Sequence, residues 1–211
     1  MRCITPQNLL ASAIASTCLL WTPSIISIYS PDSAIAQTQN SQTNLANWKT
    51  FTYQSNGFKS AFPSSPVEIS LPTQQGMRDA RLFMQMRLVN PEVITVYGVA
   101  VIDFISDLNG SDTSKLLLSV CKSSLPQGFK VTSQSNVSLS RYQGIEIEGG
   151  TPTGDLQIGR CYAVANKMYM LITLSKPFNL GLVPAAKVGT QSPIVRTKDI
   201  DFFLNSFQLV K

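Results

Sequence analysis

The chain contains no histidine. That absence removes the usual general base for serine or cysteine nucleophiles and the commonest side-chain ligand of transition metals. Charge is sparse as well: Asp, Glu, Lys and Arg make up 14% of the 211 residues, as 17 basic and 12 acidic side chains. The basic excess is scattered from Lys49 to Lys211 and is not gathered into a stripe with interleaved aromatics, which speaks against nucleic acid as a partner. It describes a solvated surface, or one that meets a membrane protein complex or an anionic membrane surface. Internal repeats are absent. No Gly-Lys-Ser/Thr ending closes the Gly-rich stretch Gly149-Gly150-Thr151-Pro152-Thr153-Gly154, so it reads as a hairpin connection between Glu148 and Leu156 and not as a phosphate cradle. No cofactor is expected.

Cysteine is scarce, and of the four present Cys3 and Cys18 sit in an N-terminal leader. The leader has a basic residue at Arg2, a run without charge from Leu9 to Ile28, and Ala34-Ile35-Ala36 before Gln37, the small-residue pattern a signal peptidase accepts. We therefore expect a signal peptide over 1–36, a flexible Gln/Asn/Ser/Thr tether over 37–47 and a single domain over 48–211. Two rival readings are a retained anchor, since roughly 20 apolar residues cross a bilayer, and lipidation at Cys18. Pro23 weakens the first, and Ala15-Ser16-Thr17 is a poor lipobox for the second. Export puts the remaining pair, Cys121 and Cys161, in an oxidising compartment that invites a disulfide; two buried free thiols are the other reading, and the sequence leaves both open.

Beyond Trp48 the chain reads as short strands broken by turns. Phe51, Tyr53, Phe58 and Phe62 flank Ser55-Asn56-Gly57, and Val67, Ile69 and Leu71 alternate after Pro63 and Pro66. Leu82, Met84, Met86 and Leu88 alternate with Arg81, Gln85 and Arg87. Val93 to Phe104 is apolar on both faces, which predicts a strand covered on both sides. Leu117, Val120, Cys121 and Leu125 recur at helical spacing over Thr113 to Leu125, with Ser111 or Asp112 placed to cap. Four more strands follow over Phe129–Leu139, Tyr142–Glu148, Leu156–Asn166 and Met168–Leu174. In the third, Gly159, Cys161, Ala163 and Ala165 give one face a row of small side chains against which the Cys121 helix can close. Ile200, Phe203, Leu204 and Phe207 form the stripe of a last amphipathic helix over Lys198 to Phe207.

Candidate sites are few. Glu146 and Glu148 share one strand face and could hold acid and base or a cation, but Ile145 and Ile147 opposite them describe a strand with one solvated side. Asp107, Asn109 and Asp112 surround Gly110 with oxygen ligands suited to a hard cation; their spacing fails the EF-hand pattern and fits a turn with a helix cap. Met77, Met84, Met86, Met168 and Met170 fit core packing better than a soft-metal site. Neither a catalytic residue nor a metal site is assigned. The connector from Lys176 to Thr197 carries Lys176, Lys187 and Arg196 with no acid, and these are the candidate partner-binding residues.

Trp48, Gly57-Phe58, Phe62-Pro63, Pro66, Tyr142-Gln143-Gly144 with Glu146, Arg160-Cys161-Tyr162, Asn166, Tyr169 and Phe203-Leu204-Asn205-Ser206-Phe207 together resemble the exported domains related to the oxygen-evolving-enhancer protein PsbP. The resemblance implies an α+β fold, an antiparallel β-sheet sandwiched between helices (α/β/α), and a periplasmic or thylakoid-lumen address. It also implies a non-catalytic binding or assembly module associated with photosynthetic membrane complexes. Without histidine, any histidine-based metal site of that protein does not carry over. Two further classes stand beside this one: a carrier for a small apolar ligand held between sheet and helices, and a hydrolase using carboxylates.

Overall fold

The computed structural model describes residues 45–90, 92–108, 110, 112–177 and 194–210. The expected leader, the tether as far as residue 44, Asn109, Ser111 and Lys187 lie outside the described residues. The elements run β1 (Lys49–Tyr53), β2 (Phe58–Phe62), β3 (Val67–Ser70), β4 (Met77–Asn90), β5 (Val93–Phe104), α1 (Thr113–Ser123), β6 (Lys130–Leu139), β7 (Tyr142–Gly150), β8 (Leu156–Val164), β9 (Lys167–Pro177), α2 (Lys198–Ser206) and β10 (Gln208–Leu209). They form a seven-stranded sheet in the order β3-β4-β5-β9-β8-β7-β6 and a three-stranded sheet in the order β1-β2-β10. Every pairing is antiparallel.

Side-chain alternation along the strands divides the interior in two. Tyr97, Val99 and Val101 of β5, Tyr169 and Leu171 of β9, and Ile158 and Tyr162 of β8 face one way, where they meet Phe58 and Phe62 of β2 and Ile200, Phe203, Leu204 and Phe207. Their neighbours Ala100, Ile102, Met168, Met170, Cys161 and Ala163 face the other way, against Leu117, Val120 and Cys121 of α1. The expected antiparallel α+β architecture is present, while a sandwich between two purely helical layers is not shown. One face carries α1, which packs over β7 and β8; the opposite face is covered by the small sheet together with α2.

Turn chemistry fixes the corners. Gly57 turns β1 into β2 at φ +78°, and a Cβ there would stand 2.9 Å from the Tyr169 hydroxyl, which donates to the Asn56 carbonyl at 2.9 Å. Gly144 has no room for a side chain at all, because a Cβ would meet the Tyr162 ring at 2.4 Å and the Cys161 carbonyl at 2.5 Å. The stretch 149–154 is a hairpin connection as read, with Gly149 and Gly150 still in β7 and the Thr151 hydroxyl accepting the Asp155 N–H at 3.1 Å.

Local expectations fail at three points. Asp112 occupies the N-cap position of α1, but its side chain makes no cap bond and instead lies 3.3 Å from Lys115 Nζ. The Thr113 hydroxyl orders that turn, accepting the Gly110 N–H at 3.0 Å. Ala165 leaves the small-residue row, since it sits in the β8–β9 turn at φ +54°. The last helix stops at Ser206, and Phe207 is already extended toward β10, which pairs with β2.

Candidate functional site

Glu146 and Glu148 are where sequence placed a solvated pair, and the structure places Glu146 in a closed ion cluster. Antiparallel register sets Glu146 of β7 directly across from Arg160 of β8. Arg160 Nε donates to Glu146 Oε2 at 2.7 Å, while its Nη1 donates to the Leu204 carbonyl at 3.0 Å and to Asn205 Oδ1 at 3.1 Å. From the lead-in to α2, Arg196 Nη1 donates to Glu146 Oε1 at 2.7 Å and Nε donates to Asp201 Oδ1 at 2.6 Å. Glu148 is 3.9 Å from Arg196. The Glu146 side chain is 12% exposed.

Burial by itself would raise the Glu146 pKa, but hydrogen bonds and charge from Arg196 and Arg160 outweigh it and hold the carboxyl below its ordinary range. Burial likewise works against the Arg196 cation and is outweighed by Glu146 and Asp201, so its pKa is raised. Each Glu146 oxygen is occupied by a guanidinium that stays charged. A carboxylate held ionised by two guanidiniums carries no proton to donate near neutrality and, with its pKa lowered, is a weak base. The cluster ties β7, β8 and α2 together, and Arg196 is counter-ion to Glu146 and Asp201.

The sequence held one signal for this arrangement. Arg160 is a lone cation in a β8 whose first eight residues are all buried, and a buried guanidinium demands an acid. Its partner became visible only with the β7–β8 register.

Other candidates separate. Cys121 and Cys161 are joined, with S–S 2.09 Å and Cα–Cα 6.1 Å, and both are buried. Met168 and Met170 are core residues, whereas Met86 is exposed. Asp107 and Asp112 are exposed on the approach to α1, and among the described residues no group of three or more His, Cys, Asp or Glu side chains is placed to hold a metal. Lys176 is exposed near the end of β9.

A second polar cluster was not foreseen. Asp199, in the first turn of α2, is buried with Oδ2 3.3 Å from Arg87 Nη1. Trp48 lies edge-on to Tyr97 at 5.0 Å and to Phe202 at 5.4 Å. The Trp48 indole N–H, the Tyr97 hydroxyl and Asp199 Oδ1 are buried without a hydrogen-bond partner among the described residues. Burial, then the Asp199 charge, raises the Tyr97 pKa. Arg87 and Trp48 also line a shallow cleft of about 170 Å³ with Ser64 and Gln85. A wider cleft of about 460 Å³ lies between the start of α1 and Arg141–Gln143. Both clefts open to the surface, and the two core clusters lie between the sheet and its covering layers.

Among the described residues, the face that carries α1 is covered only in part. Pairing aligns Val67 with Met84, Met86 with Val96, Leu88 with Ile94, Val96 with Leu174 and Ile94 with Lys176. These residues belong to neither core cluster. Val67, Met86 and Leu88 are 60%, 48% and 50% exposed. They form one apolar row across β3, β4, β5 and β9, with Lys176 at its rim and no acid among them.

No family model matches the sequence, and no curated protein matches it. Among solved structures, the chain is similar to the solution structure of cyanobacterial PsbP (CyanoP) from Synechocystis sp. PCC 6803, at 13% identity and a TM-score of 0.42, covering 80% of this chain and 95% of that one. A likeness at that level assigns neither family nor activity.

Proposed function

We propose that this chain is a non-catalytic exported module that binds or helps assemble a membrane complex in the periplasm or thylakoid lumen, through the apolar row beside α1. The observation that carries the reading is that row itself: a contiguous exposed patch of large aliphatic side chains marks a surface that meets another apolar surface. Lys176 at its rim supplies attraction toward an acidic partner or anionic headgroups. Photosynthetic complexes are the partners that the sequence resemblance suggests. The occupied state of Glu146 supports a binding role over carboxylate hydrolysis, and the Cys121–Cys161 bond supports an oxidising address.

The test is co-purification from membranes of the native host. Met86→Asp combined with Leu88→Asp is expected to abolish recovery of partner proteins, and Lys176→Glu to weaken it while reducing the loss of recovery with added salt. Equal recovery by wild type and the double variant would reject the patch as the contact.

A further inference from the structure

The large sheet ends in two unlike edges. β3 is four residues long, lies between Pro66 and Pro72, and carries Glu68 at 2.5 Å from Arg81. Shortness, proline and charge are the means by which edge strands avoid pairing with other chains. β6, on the other side, is neither short nor broken by proline, and its one charge, Lys130, stands at its first residue. The strand spans ten residues and, among the described residues, pairs with β7 alone. From Val131 to Leu139 it has neither a charge nor a proline, and 130–136 are exposed throughout. A bulge at Val131–Ser133 interrupts its start and leaves Ser133–Leu139 as the regular run.

We propose that β6 is the association site for a second copy of this chain, two β6 strands pairing antiparallel about a two-fold axis so that two sheets join edge to edge. The inference goes beyond the docking role above and uses a different surface. An uncharged strand meets no like charge in its own copy, whatever the antiparallel register. Lys130, its one charge, stands at the end of the strand and falls far from the other Lys130. Arg141, in the following turn, is folded back over the Tyr142 ring at 5.2 Å and donates to the Tyr142 hydroxyl at 3.1 Å. Over 130–136 the edge is exposed on both sides and offers few pockets to select a foreign sequence, while Val137 and Leu139 pack against the core. What it presents is a row of backbone N–H and C=O groups, which an identical strand complements.

Sedimentation equilibrium on the full chain tests this, alongside Asn136→Lys combined with Ser138→Lys, exposed changes that set like charges across the two-fold pair without removing a β6–β7 backbone bond. Ser135→Pro is a second, independent variant. The expected result is a concentration-dependent doubling of mass in wild type, accompanied by hydrogen-exchange protection of the 133–139 amides, and loss of both in the lysine variant. A wild-type monomer at all concentrations would overturn the proposal. So would a dimer that the lysines leave intact, or one whose protection falls on the apolar row of β4 and β5. Membrane recovery with Met86→Asp and Leu88→Asp is a separate readout, so either idea can fail alone.

Discussion

The two faces of the large sheet are held by opposite means. On one, β1, β2, β10 and α2 interlock through aromatic rings: Phe58 stacks on Phe207 at 5.6 Å, and Phe203 meets Phe62 and Tyr97 edge-on at 5.4 Å each. Arg160 and Arg196 then pin α2 from below. On the other, α1 buries Leu117, Val120 and Cys121 and is fastened by a covalent bond to Cys161. Among the described residues, where many non-covalent contacts share the load, no cross-link is present; where few do, a cross-link substitutes and part of the face stays open.

The largest effect that would break this contrast comes from the cross-link. Replacing Cys121 and Cys161 together by Ala is expected to cost about 4 kcal/mol on the chain-entropy account for a sequence separation of 40. Urea unfolding with and without reductant measures it, and wild type in reductant should match the variant. Next is Arg160→Ala, which strips Glu146 of one of its two guanidiniums and the Leu204 carbonyl of its donor; a loss of about 3 kcal/mol is expected from uncovering a buried ionic partner. Hydrogen exchange should then show α2 opening while α1 stays protected.

The pH dependence sharpens the same contrast with a smaller effect. The Glu146 pKa is depressed in the folded chain, so its contribution is complete above the unfolded value near 4.5 and is lost as pH falls through the lowered folded value. The stability gap between wild type and Glu146→Gln should therefore narrow in acid, as read from urea midpoints at neutral and low pH. Smallest is Tyr97→Phe. It removes a buried hydroxyl that has no partner among the described residues, so stability should stay within about 0.5 kcal/mol or rise slightly, as thermal unfolding would show.

What could be read from sequence follows the range of the interactions. The two-sided apolarity of β5, the spacing of Leu117, Val120 and Cys121, and the stripe Ile200, Phe203 and Leu204 are local patterns, and the corresponding elements are present. Met86 and Met170 occupy the same kind of alternating position, yet one is exposed and the other buried, because burial depends on where α1 crosses and no strand encodes that alone. Glu146 looked solvated for a similar reason: Arg160 is fourteen positions away and Arg196 fifty, and only register and the return of α2 bring them in. β10 is two residues long, too short for any periodicity. Arg196 looked like a free cation because its acids are supplied by other elements and by the turn that follows it.

The small sheet carries a consequence for how the molecule comes into being. β1 and β2 are made early, yet the seat they need is completed by Phe203 and Phe207, and Ser60 reaches Ser206 across 146 positions. Pairings of such separation are slow to form, so a growing chain keeps its first hairpin unsettled until the last helix has been synthesised.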